Sequence, residues 1–226
     1  MCGIVGYVGE NSASPILIDG LKKLEYRGYD SAGIAVSENG KTDVVKTKGR
    51  IKNLEEKLEE VGGLSGTVGI GHTRWATHGA PTDVNAHPHK GGNGRITLVH
   101  NGIIENYIEL KTMLQKGGYV FVSETDTEVL AHLFDYYYKG DLLDAMVNVM
   151  KTVRGSYAVA ILADDKPGTI IAARKDSPLI VGLGDGENFL ASDIPAVLKY
   201  TRDCYLLEDN QIAVLTKDNV TLYDTD

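Results

Sequence analysis

The sequence predicts an α+β fold in which stacked antiparallel β-sheets are covered by helices. Short apolar segments separated by turn residues fill the first part of the chain, helical patterns follow in the middle, and short apolar segments return at the end. Strands grouped before and after a run of helices are typical of layered sheets, whereas alternating strands and helices would indicate a parallel sheet. No repeat or Pro/Gly/Ser-rich linker divides the 226 residues, which suffice for one well-filled core. We therefore expect a single domain that covers residues 2–226.

The N-terminal part of the chain is predicted to contain three strands and two helices. "CGIVGYV", residues 2–8, is a continuous apolar run, as expected for a buried strand. Ser14-Pro15 is a helix-start signal, and the following "ILIDGLKKLEY" carries leucine and isoleucine at helical spacing. "SAGIAVSE" and "DVVKTKG" are predicted strands joined by an Asn39-Gly40 hairpin turn, and "IKNLEEKLEEV" is an amphipathic helix.

The remaining elements follow the same two patterns. "GTVGIGHTR" and "RITLVHNG" are predicted strands, separated by a polar loop from Trp75 to about Gly94. Helices are expected near residues 105–116, 126–139 and 141–153. The last apolar stretches are predicted to be short strands: "SYAVAILA", "GTIIAARK", "LIVGLG", "NFLAS", "CYLLED" and "QIAVLT".

Composition excludes several classes of function. Lysine and arginine number 23 against 31 aspartates and glutamates, and the resulting charge of −8 argues against nucleic acid or an anionic membrane as a partner. No apolar stretch approaches the ~20 residues of a membrane-spanning helix, and no secretory leader pattern is present. The two cysteines, Cys2 and Cys204, do not indicate a disulfide framework, so the cytoplasm is the expected location.

Cys2 directly follows the initiator methionine and opens the first predicted strand. Removal of Met1 is expected before so small a residue, and it would place the thiol and a free α-amino group on one residue. An amine with a pKa near ~7.7–8.0 can accept the thiol proton, and the thiolate is the reactive nucleophile. Cysteine is also readily buried at the start of a strand, so this position alone does not separate catalysis from packing.

Two polar stretches, "YRGYDSAG" and "GHTRWATHGAPTDVNAHPH", interrupt the apolar pattern. In the first, Arg27 supplies a fixed charge and Asp30 a hydrogen-bond acceptor, within a turn that glycines permit. In the second, Arg74 ends a strand and could clamp a carboxylate through two parallel hydrogen bonds.

The four histidines of the second stretch raise the hypothesis of a metal site, but no H-E-x-x-H pattern is present and Asp83 is the only carboxylate of the stretch. Histidine–backbone bonds that pin the loop are favoured over a metal, and no cofactor is predicted.

Asn101-Gly102 lies between a predicted strand and a predicted helix. The asparagine side-chain N–H and the following backbone N–H can converge on one oxygen, which is the donor pair of an oxyanion hole. The same dipeptide is a common turn sequence, so a structural role is equally open. Asp126 lies at a predicted helix start, where a carboxylate caps the backbone or faces a ligand's ammonium group.

Together these stretches resemble the glutaminase domains of the glutamine–fructose-6-phosphate aminotransferases, a branch of the class II glutamine amidotransferases. The resemblance runs in order through "CGIVGYVG", "LEYRGYDSAG", "GHTRWATHG", "NAHPH", "VHNGIIENY" and "SETDTEV", and continues through "RGSYAVAIL" and "NFLASD". The "RWATHG" and "RGYDSAG" stretches are similar to the sugar-aminating branch. This resemblance implies a four-layer αββα sandwich, the architecture of the N-terminal-nucleophile hydrolases.

The resemblance also implies a reaction and a role for each matching residue. Cys2 would attack the side-chain amide of L-glutamine and form a γ-glutamyl thioester that water hydrolyses to glutamate, with its own amine as base. Asn101 and the Gly102 N–H would form the oxyanion hole. The residues expected to bind, gate or support are Arg74 for the α-carboxylate, Asp126 for the α-ammonium, Thr77 and His78 in the closing loop, Trp75 at the ammonia exit, and Arg27 beside the terminal residue.

Complete enzymes of this family continue into sugar isomerase domains and are expected to be homo-oligomers, whereas 226 residues leave no room for those domains. The chain is therefore expected to be an excised domain that hydrolyses L-glutamine. In the intact enzyme the ammonia would convert fructose 6-phosphate into glucosamine 6-phosphate. Two alternatives are a module of the same fold that binds glutamine without turnover and a metal-dependent hydrolase that uses the histidine-rich loop.

Overall fold

In the part of the chain that the structure describes, two antiparallel sheets and five α-helices make up the fold. The computed structural model describes residues 2–225, so the predicted removal of Met1 lies outside the described residues. Within that range the strands are β1 Gly3–Val8, β2 Ser31–Glu38, β3 Lys41–Lys48, β4 Val68–Arg74, β5 His89–Gly91, β6 Ile96–Ile104, β7 Gly155–Ala163, β8 Ile170–Lys175, β9 Ile180–Leu183, β10 Asn188–Ala191, β11 Cys204–Leu206, β12 Ile212–Leu215 and β13 Val220–Tyr223. The helices are α1 Ala13–Lys23, α2 Ile51–Glu60, α3 Tyr107–Lys116, α4 Asp126–Tyr137 and α5 Leu142–Thr152.

The strand order places the first strand of the chain in the middle of a sheet. The larger sheet has the order β11-β9-β10-β1-β4-β2-β3, and the smaller has the order β13-β12-β8-β7-β6-β5. β1 pairs with β4 and β10, and Gly3 lies opposite Thr73, so the start of β1 is beside the end of β4. In the smaller sheet, β6 contains Asn101 and Gly102 and pairs with β7 over its whole length.

Three apolar clusters separate four layers. One cluster lies between the sheets and includes Ile4, Ile70 and Val99. A second packs α1 and α2 against the larger sheet, and a third packs α3, α4 and α5 against the smaller sheet. The order helix, sheet, sheet, helix is the predicted αββα sandwich, which the structure confirms.

The structure corrects several predicted boundaries. Helix α1 begins at Ala13 with Ser12 at its N-cap, so Pro15 is the third helical residue rather than part of the start signal. The segment from Trp75 to Gly94 is not entirely a loop, because it contains β5, which pairs with β6. A further edge strand, β13, was not predicted at all. Among residues 2–225 no helix combines the length and the apolar character that crossing a bilayer requires.

Candidate active site

The N-terminal thiol is held at the end of the larger sheet where β1 begins. The Trp75 backbone N–H donates to Cys2 Sγ over 3.2 Å, which follows from the pairing of β1 with β4, the strand that ends just before Trp75. The Cys2 carbonyl oxygen accepts from Arg27 Nη1 at 3.2 Å, and the same Arg27 nitrogen donates to Ser192 Oγ at 3.2 Å. Cys2 is half-buried, so its position is fixed while its sulfur remains reachable.

The electrostatics of this position favour a neutral thiol. Burial raises the pKa of Cys2, and the hydrogen bond from the Trp75 N–H and the nearby Arg74 charge offset only part of this effect. A thiol with a raised pKa carries little thiolate at neutral pH, and the thiolate is the nucleophilic form. Reaction at Cys2 therefore requires a base that removes the proton as the sulfur attacks.

Asn101 and Gly102 approach Cys2 from the smaller sheet, where both lie in β6. Asn101 Nδ2 donates to the Cys2 carbonyl oxygen at 3.3 Å, and Asn101 Oδ1 is 2.9 Å from the His72 ring. Gly102 has φ of +125°, and a Cβ built there would lie 2.2 Å from the Ser156 carbonyl oxygen. Only glycine accommodates both the backbone angle and this close approach, so Gly102 lies within β6, paired with β7, rather than in the turn that its Asn-Gly sequence also allowed.

A cavity of about 290 Å³ collects most of the predicted site residues. Its size is close to the lower end of the range of ~300–1,000 Å³ that small-molecule sites occupy. Six of the residues that line it were predicted from the sequence, namely Cys2, Arg27, Trp75, Thr77, Asn101 and Gly102. The sequence did not point to the others, Ile103, Ser156, Ser177 and Pro178. Arg74, His78 and Asp126 are not among the lining residues.

Arg74 is buried, with 3% of its surface exposed. Its guanidinium donates to the carbonyl oxygens of His78, Gly79 and Ala80, the last two at 3.3 Å. Burial lowers the pKa of this guanidinium, and the neighbouring Asp30 carboxylate counteracts that effect. In this conformation the side chain holds the loop that follows β4 through these carbonyl oxygens.

Asp30 fixes the same loop from the other side. Its backbone N–H donates to the Arg74 carbonyl at 2.8 Å, and its Oδ2 accepts from the Ala76 N–H at 2.8 Å. The two bonds flank Trp75, so Asp30 sets the position of the N–H that reaches the Cys2 sulfur. The Trp75 side chain is 53% exposed at the cavity mouth.

Asp126 is the first residue of α4, and the N-cap is Thr125, whose side chain accepts from the Glu128 N–H. The predicted alternative that Asp126 caps the helix is therefore wrong, because the preceding threonine takes that role. Asp126 Oδ2 instead accepts from the Ile104 N–H at 2.9 Å, which ties α4 to the end of β6. A role in binding an ammonium group stays a prediction.

The histidine-rich stretch forms a buried stack. The rings of His72 and His87 are parallel at 4.0 Å between centroids, and His89 contacts His87 edge-on and lies 3.0 Å from Thr125 Oγ1. Burial lowers the pKa of His72 to about 3 and the pKa values of His87 and His89 well below their ordinary value. Within the described part of the chain no three histidine, cysteine or acidic side chains are grouped as metal ligands.

These neutral rings should make the fold sensitive to acid. In the unfolded chain a histidine takes up a proton near pH ~6.5, whereas the folded rings do not, so the unfolded state binds more protons below that pH. Each neutral buried ring therefore contributes fully to the free energy of unfolding above pH ~6.5, and this contribution is lost as the pH falls towards the pKa of the folded ring. Between about pH 7 and pH 5 the loss should reach about 2 kcal/mol per ring. Denaturant titrations at both pH values measure this loss.

His87→Phe provides the control for that measurement, because the His87 ring makes stacking contacts and its Nδ1 has no hydrogen-bond partner among the described residues. The variant keeps an aromatic ring in the stack and removes one titrating group. The difference in free energy of unfolding between the two pH values should shrink by about one ring's contribution, and an unchanged difference would contradict the assignment.

Comparisons with solved structures place the fold among known enzymes. The glutamine phosphoribosylpyrophosphate amidotransferase from B. subtilis, solved with ADP and GMP, aligns over 100% of this chain and 49% of its own, with a TM-score of 0.84 and 27% identity. A glutamine aminotransferase class-II domain protein from Silicibacter pomeroyi aligns over 99% of both chains with a TM-score of 0.67 and 14% identity, a likeness in fold alone. The fold and the first of these neighbours define the class as amidotransferases of the N-terminal-nucleophile type.

The family model described as a glutamine amidotransferase domain matches residues 72–199, more than half of the chain, and the chain belongs to this family. It is 61% identical over 224 residues to the glutamine–fructose-6-phosphate aminotransferase (isomerizing) of Clostridium tetani, covering 99% of this chain and 37% of that protein. The enzyme of the same name from Thermus thermophilus is 57% identical over the same shares. The chain thus spans little more than a third of the length of these curated relatives.

Proposed function

We propose that this chain is a glutaminase that hydrolyses the side-chain amide of L-glutamine to glutamate and ammonia. The observation that supports this most strongly is the shared cavity of Cys2, Asn101 and Gly102, with the Asn101 amide 3.3 Å from the Cys2 carbonyl. A thiol nucleophile beside convergent N–H donors is what acyl transfer from an amide requires. Membership of the glutamine amidotransferase domain family supports the choice of substrate.

The reaction proceeds through two acyl transfers. Cys2 Sγ attacks the side-chain amide carbon, and the amide oxygen becomes an oxyanion that accepts from Asn101 Nδ2–H and the Gly102 N–H. The C–N bond breaks, the proton taken from the thiol passes to the nitrogen, and ammonia leaves a γ-glutamyl thioester. Water then adds to the thioester carbon and gives up a proton, and the C–S bond breaks to release glutamate and the thiol. Each step has a lower barrier than direct hydrolysis of an amide.

The base in both steps is the α-amine of Cys2, once Met1 has been removed. An amine with a pKa near ~7.7–8.0 is partly unprotonated at neutral pH and needs no neighbouring side chain to act. The raised pKa of the Cys2 thiol makes such a base necessary. Arg27 supports this residue by holding its carbonyl oxygen.

Substrate binding involves the loop after β4. Arg74 takes the α-carboxylate of glutamine when that loop, which includes Thr77 and His78, rearranges and releases the guanidinium from its carbonyl partners. Asp126 takes the α-ammonium, and the exposed Trp75 gates the path by which ammonia leaves. A ligand that lacks either charge leaves a buried partner unpaired, which provides selectivity for glutamine.

Arg74→Lys should raise KM for glutamine by about 10- to 100-fold and change kcat by only a few-fold, because an ammonium group cannot form the two parallel bonds of a guanidinium. Initial rates over a range of glutamine concentrations measure the split. Arg95→Lys is the matched control, since Arg95 pairs with Asp135 on another part of the surface. A large fall in kcat with KM unchanged would contradict the assigned role.

We propose further that residues 2–226 form a single glutaminase domain of a longer, cytoplasmic enzyme. The chain matches 37% of relatives that are named glutamine–fructose-6-phosphate aminotransferases. In the intact protein, a homo-oligomer with sugar isomerase domains, the ammonia would aminate fructose 6-phosphate to give glucosamine 6-phosphate.

The deciding experiment is a glutaminase assay on protein that mass spectrometry has shown to begin at Cys2. Incubation with L-glutamine should release glutamate and ammonia in equal amounts, and the rate should be insensitive to chelators and abolished by thiol alkylation. Binding of glutamine without release of glutamate would overturn the proposal and leave a non-catalytic module of the same fold.

A further inference from the structure

The orientation of the Asn101 side chain is decided by a histidine that does not reach the cavity. His72 lies in β4, pairs with Ile4 of β1 and is fully buried between the two sheets. Its Nε2 is 3.0 Å from the His100 carbonyl oxygen and 2.9 Å from Asn101 Oδ1. A single ring nitrogen thus faces two groups of the neighbouring sheet.

The His100 carbonyl identifies which nitrogen carries the proton. A carbonyl oxygen only accepts hydrogen bonds, so His72 Nε2 must be the donor and the neutral ring carries its hydrogen there. Nδ1 has no hydrogen-bond partner within the described residues and stacks with its ring on His87. Burial lowers the pKa of this ring to about 3, so the ring is neutral at neutral pH.

The protonated nitrogen in turn determines which end of the Asn101 amide faces it. An N–H donor requires the oxygen of the amide, and this places Nδ2 on the opposite side, 3.3 Å from the Cys2 carbonyl oxygen. A flipped amide would set two N–H groups against each other and would present an oxygen to the developing oxyanion. The first sets the His72 N–H against another donor, the second takes a donor away from the cavity, and an unsatisfied polar group in a buried position is costly.

We propose that His72 is a positioning residue that locks the Asn101 amide in the orientation that donates into the catalytic cavity. The inference rests on the proposed function, because it assigns to Asn101 the role of oxyanion donor. Among the described residues, His72 is not one of those that line the cavity, and its contact with the site is the Asn101 amide.

His72→Phe tests the lock, because phenylalanine keeps a flat ring against His87 and removes the Nε2–H. We expect kcat for glutamine to fall by about 10- to 100-fold with KM within about threefold of its original value. His72→Gln, whose side-chain amide can again donate to Asn101 Oδ1, should recover kcat to within about fivefold of the unchanged chain. His132→Phe, a buried histidine in α4 that packs on Tyr119 and Phe121, is the control and should leave kcat unchanged.

A double-mutant cycle separates positioning from general loss of packing. In an Asn101→Ala background there is no amide to orient, so His72→Phe should cause no further fall in kcat. Losses that multiply would overturn the proposal, as would a His72→Phe chain with undiminished kcat.

A measurement on the unchanged chain covers the case in which His72→Phe does not fold. The ¹⁵N chemical shifts of the His72 ring should show a protonated Nε2 and a bare Nδ1 at neutral pH, and the opposite tautomer would overturn the proposal. The spectrum does not depend on turnover, so a chain that fails to hydrolyse glutamine rejects the proposed function while the orientation of the ring is still decided.

Discussion

Cys2→Ala should reduce glutamine hydrolysis by at least about 10⁴-fold, to the level of a blank. The sulfur forms the bond to the substrate, and neither the oxyanion donors nor the binding residues can replace a nucleophile. The fold should survive, because the Cys2 side chain is half-buried and its sulfur accepts one strong backbone contact, from the Trp75 N–H at 3.2 Å. Glutamate release and calorimetric binding of glutamine measure the two consequences, and we expect turnover to vanish while binding persists.

Cys204→Ala is the control for this substitution. Cys204 is the other free cysteine among the described residues and lies in β11, at the edge of the larger sheet, where it packs against the apolar core. Its loss should leave kcat unchanged. If turnover persisted in Cys2→Ala and disappeared in Cys204→Ala, the nucleophile would be Cys204, and the proposed mechanism would be wrong.

Some residues of the candidate site can be predicted from local sequence motifs, whereas others lie in the cavity only because of how the strands pair. Cys2, Asn101 and Gly102 could be named as candidates because each lies in a short stretch whose chemistry allows catalysis, although only the stretches together indicated it, and the structure brings the three into one cavity. Ser156 enters it because β7 pairs with β6, with Tyr157 opposite Gly102. That register depends on the packing of the whole core, and no local pattern marks it.

The same limit explains what the sequence left open in the histidine-rich stretch. Its composition is compatible with a metal site or with a pinned loop, and the choice depends on which rings face one another across two sheets. His72 reaches Asn101 only because β4 lies against β6 in the sandwich, and it stacks on His87, which comes from the segment just before β5. The short strand β5 escaped prediction for a different reason, since its sequence, His-Lys-Gly, contains no apolar side chain that would mark a strand.

Asn101→Ala should lower kcat for glutamine by about 10²- to 10³-fold and leave KM nearly unchanged. The Nδ2–H donates to the oxygen only as negative charge develops on it, so its removal costs more in the transition state than in the bound substrate. The Cys2 carbonyl keeps its bond from Arg27 at 3.2 Å, so the nucleophile should remain in place. Steady-state rates with glutamine measure kcat and KM, and Asn93→Ala, at an exposed turn, is the control.

Asn101→Asp sharpens this prediction, because it keeps the size of the side chain and an oxygen for the His72 Nε2–H while it removes the donor. A carboxylate beside the forming oxyanion adds repulsion, so the loss in kcat should equal or exceed that of Asn101→Ala. If shape alone mattered, Asn101→Asp would be nearly as active as the unchanged chain. A full rate in Asn101→Asp would therefore remove the side-chain amide from the oxyanion hole and leave the Gly102 N–H as its one assigned donor.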